Sequence, residues 1–350
     1  MRTAESEGLI KSSLVHGRFY NPEPCDSTGL MRILLVKTSS LGDVVHNLPV
    51  ITDLKARMPE AAVDWVVEEA FADIPRLHPG IRKVIPVALR RWRKALFGLS
   101  TWQEIRSFRR DLHAQAYDVV LDTQGLIKSA LITRQARMAA GGRRCGYSRE
   151  VAREALAAYG YDTTFTIPLS AHAVERNRWL AAAAFDYALD APLDYGIAAP
   201  ELRAEWQTQQ PCAVLLTGTS RADKLWHEAG WIQLGQALAD RRLVSVLPAG
   251  SDEERERAER LAAKIPGSIV APPLRVAELA GLFASASIIV GLDSGLTHLA
   301  AALGKPTVGL FCGSDPYLTG LHAGSRARNL GRPGIPPSAE TVIATVATLI

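Results

Sequence analysis

Met31-Arg-Ile-Leu-Leu-Val-Lys37-Thr-Ser-Ser-Leu-Gly-Asp43-Val-Val-His46 is the stretch on which the fold turns. Ile33-Leu-Leu-Val36 is an unbroken apolar run, the pattern of a strand buried on both faces. Thr38, Ser39, Ser40 and Gly42 supply a polar turn with one flexible backbone position. A helical pattern follows over 43–57. Strand, turn and helix in that order open an α/β domain. Residues 1–30 are polar, carry Pro22 and Pro24 and show no sustained period. They are expected to form a flexible extension, with Met31 at the natural start.

Working outward, short apolar runs alternate with helical patterns. Strands are expected at 32–37, 63–67, 83–87 and 118–122, with helices at 43–57, 101–115 and 126–138. A second series places strands at 213–216, 243–247, 287–290 and 307–310, and helices near 228–239, 252–264, 275–284 and 295–303. Alternation of this kind predicts parallel sheets covered on both faces. The 350 residues suit about two domains of ~150 each. A composition 47% apolar and 22% charged excludes a largely disordered or collagen-like chain. The expected division is 31–170, a connection at 171–200, and 201–350, with room for the last helix to pack back on the first domain.

Three loops at strand ends can carry chemistry. The first is Lys37 to His46, where Asp43 is either a general base or, with Ser40, a helix cap. The second is Thr217-Gly-Thr219-Ser220-Arg-Ala-Asp-Lys224, whose hydroxyls and ammonium suit a phosphate or simply water. The third is Asp293-Ser294-Gly295-Leu296-Thr297-His298, a turn opening a helix whose free N–H groups suit a diphosphate. Asp293 is placed to bond sugar hydroxyls; His298 faces either the ligand or the core. Gly304-Lys305 lacks the rest of a P-loop, no GxGxxG follows the first strand, and the histidines form no metal-binding pattern.

The net charge of +4 is an average over opposite parts. Residues 76–113 hold ten basic and two acidic residues, and 128–153 hold seven and one. These windows carry +14 against −10 elsewhere. A basic first half interleaved with Trp92, Leu96 and Phe97 points to an anionic, greasy partner such as a lipid surface, with nucleic acid as the competing reading. No apolar run is long enough to span a bilayer, and the N-terminus lacks a signal-type apolar region. Cys25, Cys145, Cys212 and Cys312 are scattered, which fits a reducing compartment.

Five segments, in order, resemble the ADP-heptose:lipopolysaccharide heptosyltransferases, glycosyltransferase family nine. They are Met31 to Pro49, Asp122-Thr-Gln-Gly-Leu-Ile-Lys-Ser-Ala130, Gly146-Tyr-Ser-Arg-Glu-Val-Ala-Arg-Glu154, Thr219-Ser-Arg-Ala-Asp-Lys224 and Asp293-Ser-Gly-Leu-Thr-His298. The resemblance covers about 31–350, and Lys37-Thr-Ser-Ser-Leu-Gly-Asp43 is similar to members that add the first heptose. It implies a GT-B fold: two Rossmann-like parallel-sheet domains facing a central cleft, acceptor on the first and donor on the second. It implies an inverting, metal-independent transfer from ADP-heptose to Kdo-lipid A, on the cytoplasmic face of the inner membrane, with no cofactor and no nucleic-acid partner.

Carried onto matching positions, the resemblance makes Asp43 the general base. It makes Lys224 the stabiliser of the leaving diphosphate, with Thr219, Ser220, Ser294, Gly295, Leu296, Thr297 and His298 around the donor. Asp293 holds the heptose, and an acid after Pro248-Ala-Gly250 holds the ribose: Glu253, with Asp252 and Glu254 adjacent. Ser40, Gly42, Lys128, Arg149 and Arg153 meet the acceptor. Residues 1–30 have no counterpart in the family pattern, and Ser220 and Ser294 stand where threonine is common. A related transferase with another acceptor or nucleotide sugar, and a non-catalytic anionic-lipid binder, are the alternatives.

Overall fold

The computed structural model describes residues 30–350 except 96, 97, 203, 209 and 220. The extension expected over 1–30 therefore lies almost wholly outside the described residues, as do Cys25, Leu96, Phe97 and Ser220. The first sheet contains β1 Arg32–Val36, β2 Ala62–Glu68, β3 Ile81–Val87, β4 Tyr117–Asp122, β5 Met138–Tyr147 and β6 Thr163–Phe165. The second contains β7 Cys212–Leu216, β8 Val244–Leu247, β9 Ile269–Val270, β10 Ile288–Leu292, β11 Thr307–Leu310 and β12 Ala327–Leu330. Their orders are β3-β2-β1-β4-β5-β6 and β12-β11-β10-β7-β8-β9, with every pairing parallel. Counted from its own first strand, each sheet has the doubly wound order 3-2-1-4-5-6. Leu34 is in register with Asp64 and Val120, and Val290 with Leu215 and Val308.

The helices used below are α1 Leu41–Val45, α2 Leu48–Arg57, α3 Leu99–His113, α4 Ile127–Gln135, α5 Ala173–Phe185, α6 Glu228–Asp240, α7 Asp252–Ala262, α8 Val276–Ser285, α9 Gly295–Ala302 and α10 Ala339–Ala347. The single helix expected over 43–57 is two. Pro49 sits in the first turn of α2, where its missing N–H costs nothing, and so marks a new start. Four strands, β5, β6, β9 and β12, lie outside the expected set, and β6, β9 and β12 are only three, two and four residues long. β5 contains no β-branched residue, and its Gly142 is set by close approach: a Cβ there would lie 2.7 Å from the Tyr117 carbonyl oxygen.

Each sheet is covered on both faces, as parallel sheets require. Leu34, Val36, Val120 and Ile132 form the outer core of the first domain; Leu215, Val290, Trp231 and Val342 form that of the second. Between the sheets one buried cluster is continuous, from Ile33, Leu35 and Trp65 to Val214, Leu216 and Leu299. Helix α5 packs on α2, β5 and β6, and its Arg178 makes a buried two-point ion pair with Asp53 at 2.8 and 3.0 Å. The first part of the expected 171–200 connection is thus bound to the first domain. Helix α10 packs on α6 and β11, with Ala339, Val342 and Val346 in the second core. This corrects the expectation that the last helix returns to the first domain, because its apolar stripe is already covered by its own sheet.

Candidate active site at the meeting of the two sheets

In doubly wound sheets, ligands bind beyond the carboxyl ends of the strands where the order reverses. Here the reversal falls between β1 and β4, and between β7 and β10. The loops leaving those four strands are the ones that carry the polar motifs, and α1 packs directly against α9. Gly295 makes that approach possible, whereas a Cβ at Gly42 would meet only ordinary contacts. A Cβ on Gly42 would sit 3.4 Å from His298 Cδ2, and one on Gly295 would meet the Leu41 side chain and lie 2.7 Å from the Gly42 nitrogen.

On the first domain, Asp43 caps its own helix through one carboxylate oxygen. Its Oδ2 accepts from the Ser40 N–H at 3.0 Å and the Ser40 hydroxyl at 3.1 Å, with Arg153 Nη1 at 3.5 Å. Oδ1 has no hydrogen-bond partner among the described residues. Burial alone would raise the carboxyl, but Lys37, Arg153 and the Ser40 bonds outweigh it and hold Asp43 below its ordinary range. Lys37 is buried and donates to the Thr123 carbonyl at 2.8 Å. Gln124 Oε1 accepts from the Thr38 and Ser39 N–H groups at 3.1 Å, while its Nε2 is buried and unpaired. A small cavity beside Asp43 is lined by Lys37, Gln124, Tyr147, Arg153, Arg176 and Asn177. Its three cations outnumber the one carboxylate, Asp43, so its charge suits an anionic group.

On the second domain, Asp293 at the end of β10 organises the loops. Its Oδ2 takes Lys224 Nζ at 2.6 Å and the Ser314 hydroxyl, and its Oδ1 lies 3.5 Å from His298 Nε2. Burial pushes the Asp293 carboxyl up, but the bonds from His298, Lys224 and Ser314 win and hold it well below the usual carboxylate range. Thr219 Oγ1 donates to the Asp293 carbonyl at 3.4 Å. Thr297 Oγ1 donates to the Leu292 carbonyl at 2.6 Å, which anchors the first turn of α9. A second cavity is lined by Leu216, Gly218, Ala249, Gly250, Glu254, Pro272, Leu279, Ser294 and Leu296. It is apolar with one carboxylate at its edge, the chemistry of a flat heterocycle joined to a hydroxylated sugar. No group of three or more His, Cys, Asp or Glu side chains among the described residues is arranged to hold a metal ion.

The sequence profile of glycosyltransferase family 9 (heptosyltransferase) matches residues 105–346. Lipopolysaccharide heptosyltransferase 1 of Pseudomonas aeruginosa is 45% identical over 297 residues, covering 85% of this chain and 82% of that protein. The Escherichia coli enzyme of the same name is 43% identical, covering 83% and 90%. The solved structure of E. coli heptosyltransferase WaaC with ADP superposes with a TM-score of 0.83 at 39% identity, covering 91% of this chain and 100% of that one. The chain belongs to glycosyltransferase family 9, the heptosyltransferases. Its two six-stranded domains are the GT-B fold.

In this heptosyltransferase the expected residues fall into two clusters. Asp43, Ser40, Gly42 and Arg153 are together, joined by Lys128, whose ammonium reaches the Ser39 hydroxyl at 2.9 Å. Arg149 stays outside that network and contacts the Tyr159 hydroxyl at 3.4 Å. Lys224 and His298 gather on the Asp293 carboxylate and Thr219 on its carbonyl. Ser294 and Leu296 line the second cavity. Gly295 lies at the contact with the first domain and Thr297 anchors the helix start, while Ser220 lies outside the described residues. Glu253 is exposed and is not among the residues lining this second cavity; Glu254 is, with Oε2 accepting from the Gly250 N–H at 2.8 Å. The pattern Ser251-x-x-Glu254, a helix-start signature, marks this turn in the sequence, although the Glu254 carboxylate reaches back to the Gly250 N–H and not to that of Ser251.

Lys37, Gln124, Arg176, Ser314 and His46 enter the two sites without having been singled out as site residues. Each depends on a neighbour distant in sequence. Trp92 is not a surface anchor. It is buried against Phe108 and donates to Glu104 at 2.7 Å. Much of the first basic window is also spent internally, with Arg91 on Glu69 and Glu104 and Lys83 on Asp111.

Proposed function

We propose that this chain moves the first heptose from ADP-heptose to a Kdo residue of Kdo-lipid A. The observation that carries the reading is the contact of the two helix starts at Gly42 and Gly295, which sets the loop holding an ionised and partly unpaired Asp43 beside the loop holding the Lys224–Asp293–His298 cluster. The relatives support the donor: one solved structure of WaaC, 38% identical with a TM-score of 0.80, is described with ADP-2-deoxy-2-fluoro heptose.

In this reading the adenine lies against Leu216, Ala249 and Leu279, and Glu254 accepts from ribose hydroxyls. Asp293 accepts from heptose hydroxyls. Asp43 Oδ1 takes the proton of the acceptor hydroxyl, whose oxygen attacks the anomeric carbon on the face opposite the diphosphate. The glycosidic C–O bond to the diphosphate breaks, and ADP departs with that electron pair. Lys224, released in part from Asp293, and the N-terminal N–H groups of α9 take up the charge. Lys37, Arg153 and Arg176 hold the acceptor's anionic group beside Asp43.

The membrane partner is assigned to an exposed patch next to this pocket. Ile127, Leu131, Leu156 and Tyr159 are exposed on α4 and the turn packed against it, among Lys128, Arg149 and Arg153. Apolar side chains ringed by cations fit an anionic lipid surface. No helix among the described residues is long and apolar enough to cross a membrane.

The test is ADP release from ADP-heptose with Kdo-lipid A as acceptor. Turnover is expected with that acceptor and not with one already carrying heptose. Asp43→Ala should lose about 10²–10⁴ in turnover while binding ADP-heptose like the parent. Faster release with the heptosylated acceptor would reassign the substrate, and full turnover by Asp43→Ala would remove the base.

A further inference from the structure

His46 ends α1 in the first domain and is buried. Its Nε2 lies 3.2 Å from Nδ1 of His298, which belongs to the second domain, and the rings meet edge to face at 4.5 Å. His298 Nε2 in turn faces Asp293 Oδ1. His46 therefore touches the donor cluster from across the domain boundary, although its own motif belongs to the acceptor side.

The proton positions follow from burial. Nδ1 of His46 is buried and has no hydrogen-bond partner among the described residues. A proton there would be an orphaned buried donor, which is rarer and more costly than a bare lone pair. Burial, together with the neighbouring His298 and His172, keeps the His46 ring from taking a second proton. Its one proton consequently sits on Nε2 and is donated to His298 Nδ1. With Nδ1 accepting, His298 must carry its proton on Nε2, pointed at the Asp293 carboxylate.

We propose that His46 is a positioning residue for the donor site: it fixes the tautomer and orientation of His298, and through it Asp293, so that a side chain of one domain completes the sugar-binding carboxylate of the other. The fixed array runs His46 Nε2–H to His298 Nδ1, then His298 Nε2–H to Asp293 Oδ1. Asp293 Oδ2 is left to Lys224 and Ser314. Donor affinity thereby depends on contact between the domains. This inference rests on the donor-site reading of Asp293 and His298 given above.

The experiment uses the full chain and ADP-heptose. His46→Leu removes the donated proton and is expected to weaken ADP-heptose binding about five- to tenfold, with acceptor KM unchanged. His46→Gln places an amide N–H near the same point and should restore affinity to within about twofold, the value of a retained hydrogen bond. In a His298→Gln background, His46→Leu should add nothing. In the parent chain, imidazole nitrogen chemical shifts should show His298 protonated on Nε2 and bare on Nδ1. That last measurement decides the matter even if His46→Leu fails to fold.

A purely structural role would lower the Tm of the Leu and Gln variants alike and raise both KM values. That result, or a proton on His298 Nδ1 in the parent, overturns the proposal. If His46→Leu binds donor normally while Asp293→Asn does not, the positioning role falls and the donor site stands. If Asp293→Asn and His298→Gln also bind normally, the donor-site reading itself falls.

Discussion

Lys37 carries its ammonium into an enclosed site at the end of β1. Burial pushes its pKa down to about 8, against the opposing pull of Asp43. The charge is present below that value and is lost as pH rises through it. The unfolded chain holds this proton up to the ordinary lysine range. Lys37 therefore destabilises the fold most below about 8, and the penalty fades toward 10.5. The gain is electrostatic. An ionised Lys37 keeps Asp43 ionised and gives the cavity a cation for the acceptor. kcat/KM for the anionic acceptor should fall on the alkaline side with an inflection near 8, while donor affinity stays level across it. Lys37→Arg should move that limb beyond the measurable range, since a guanidinium stays charged. A profile level from neutral pH past the lysine value would refute this assignment. Nothing local distinguishes Lys37 from a solvated lysine. Its burial is made by Thr123, Asp122 and Arg153, residues far along the chain.

At the scale of elements, two helix starts set the geometry. In α7, Ser251 caps the helix by accepting from the Glu254 N–H at 3.2 Å, while the Glu254 carboxylate turns back to Gly250. Successive residues on a helix point about 100° apart, so Glu253 faces solvent when Glu254 faces the cavity. Glu254→Gln should weaken ADP-heptose binding about tenfold or more, the range for a hydrogen bond to a charged group. Glu253→Gln should leave it unchanged. Calorimetry on both variants checks this, and the reverse ranking would return the role to Glu253. At α9, Gly295→Ala would place a methyl against Leu41 and the Gly42 backbone. Overpacking of this kind costs about 1–3 kcal/mol. The Tm should drop, and donor KM should rise as the helix starts separate. An unchanged Tm and KM would mean that the two starts part without cost. Sequence periodicity located these helices well, because their apolar stripes are local. It missed β5, a strand of alanine, glycine and arginine that exists because β4 offers it an open edge.

Over the whole molecule, the charge polarity survives in reduced form. Arg91, Lys83 and Arg144 are paired internally, Arg144 with Asp162 at 3.3 Å. Lys128, Arg149 and Arg153 are exposed beside an apolar patch. Anionic vesicles should therefore co-sediment with the chain and zwitterionic ones should not. Salt that shortens the Debye length to about 3 Å should release it. Leu131→Asp combined with Leu156→Asp should abolish the binding without altering ADP-heptose affinity. Equal binding to both vesicle types would remove the electrostatic part of the proposal. The alternation of strand and helix and the polar loops at strand ends were legible from residue order, because burial period and turn chemistry are local properties; the roles expected of Asp43, Lys224 and Asp293 came from the family resemblance. The site as a unit was not. Lys37 meets Thr123 only once β1 and β4 are paired, and Gly42 meets Gly295 and His46 meets His298 only once the two sheets have brought their switch points together. Contacts spanning up to 252 residues are set by packing between domains, and no local pattern encodes them.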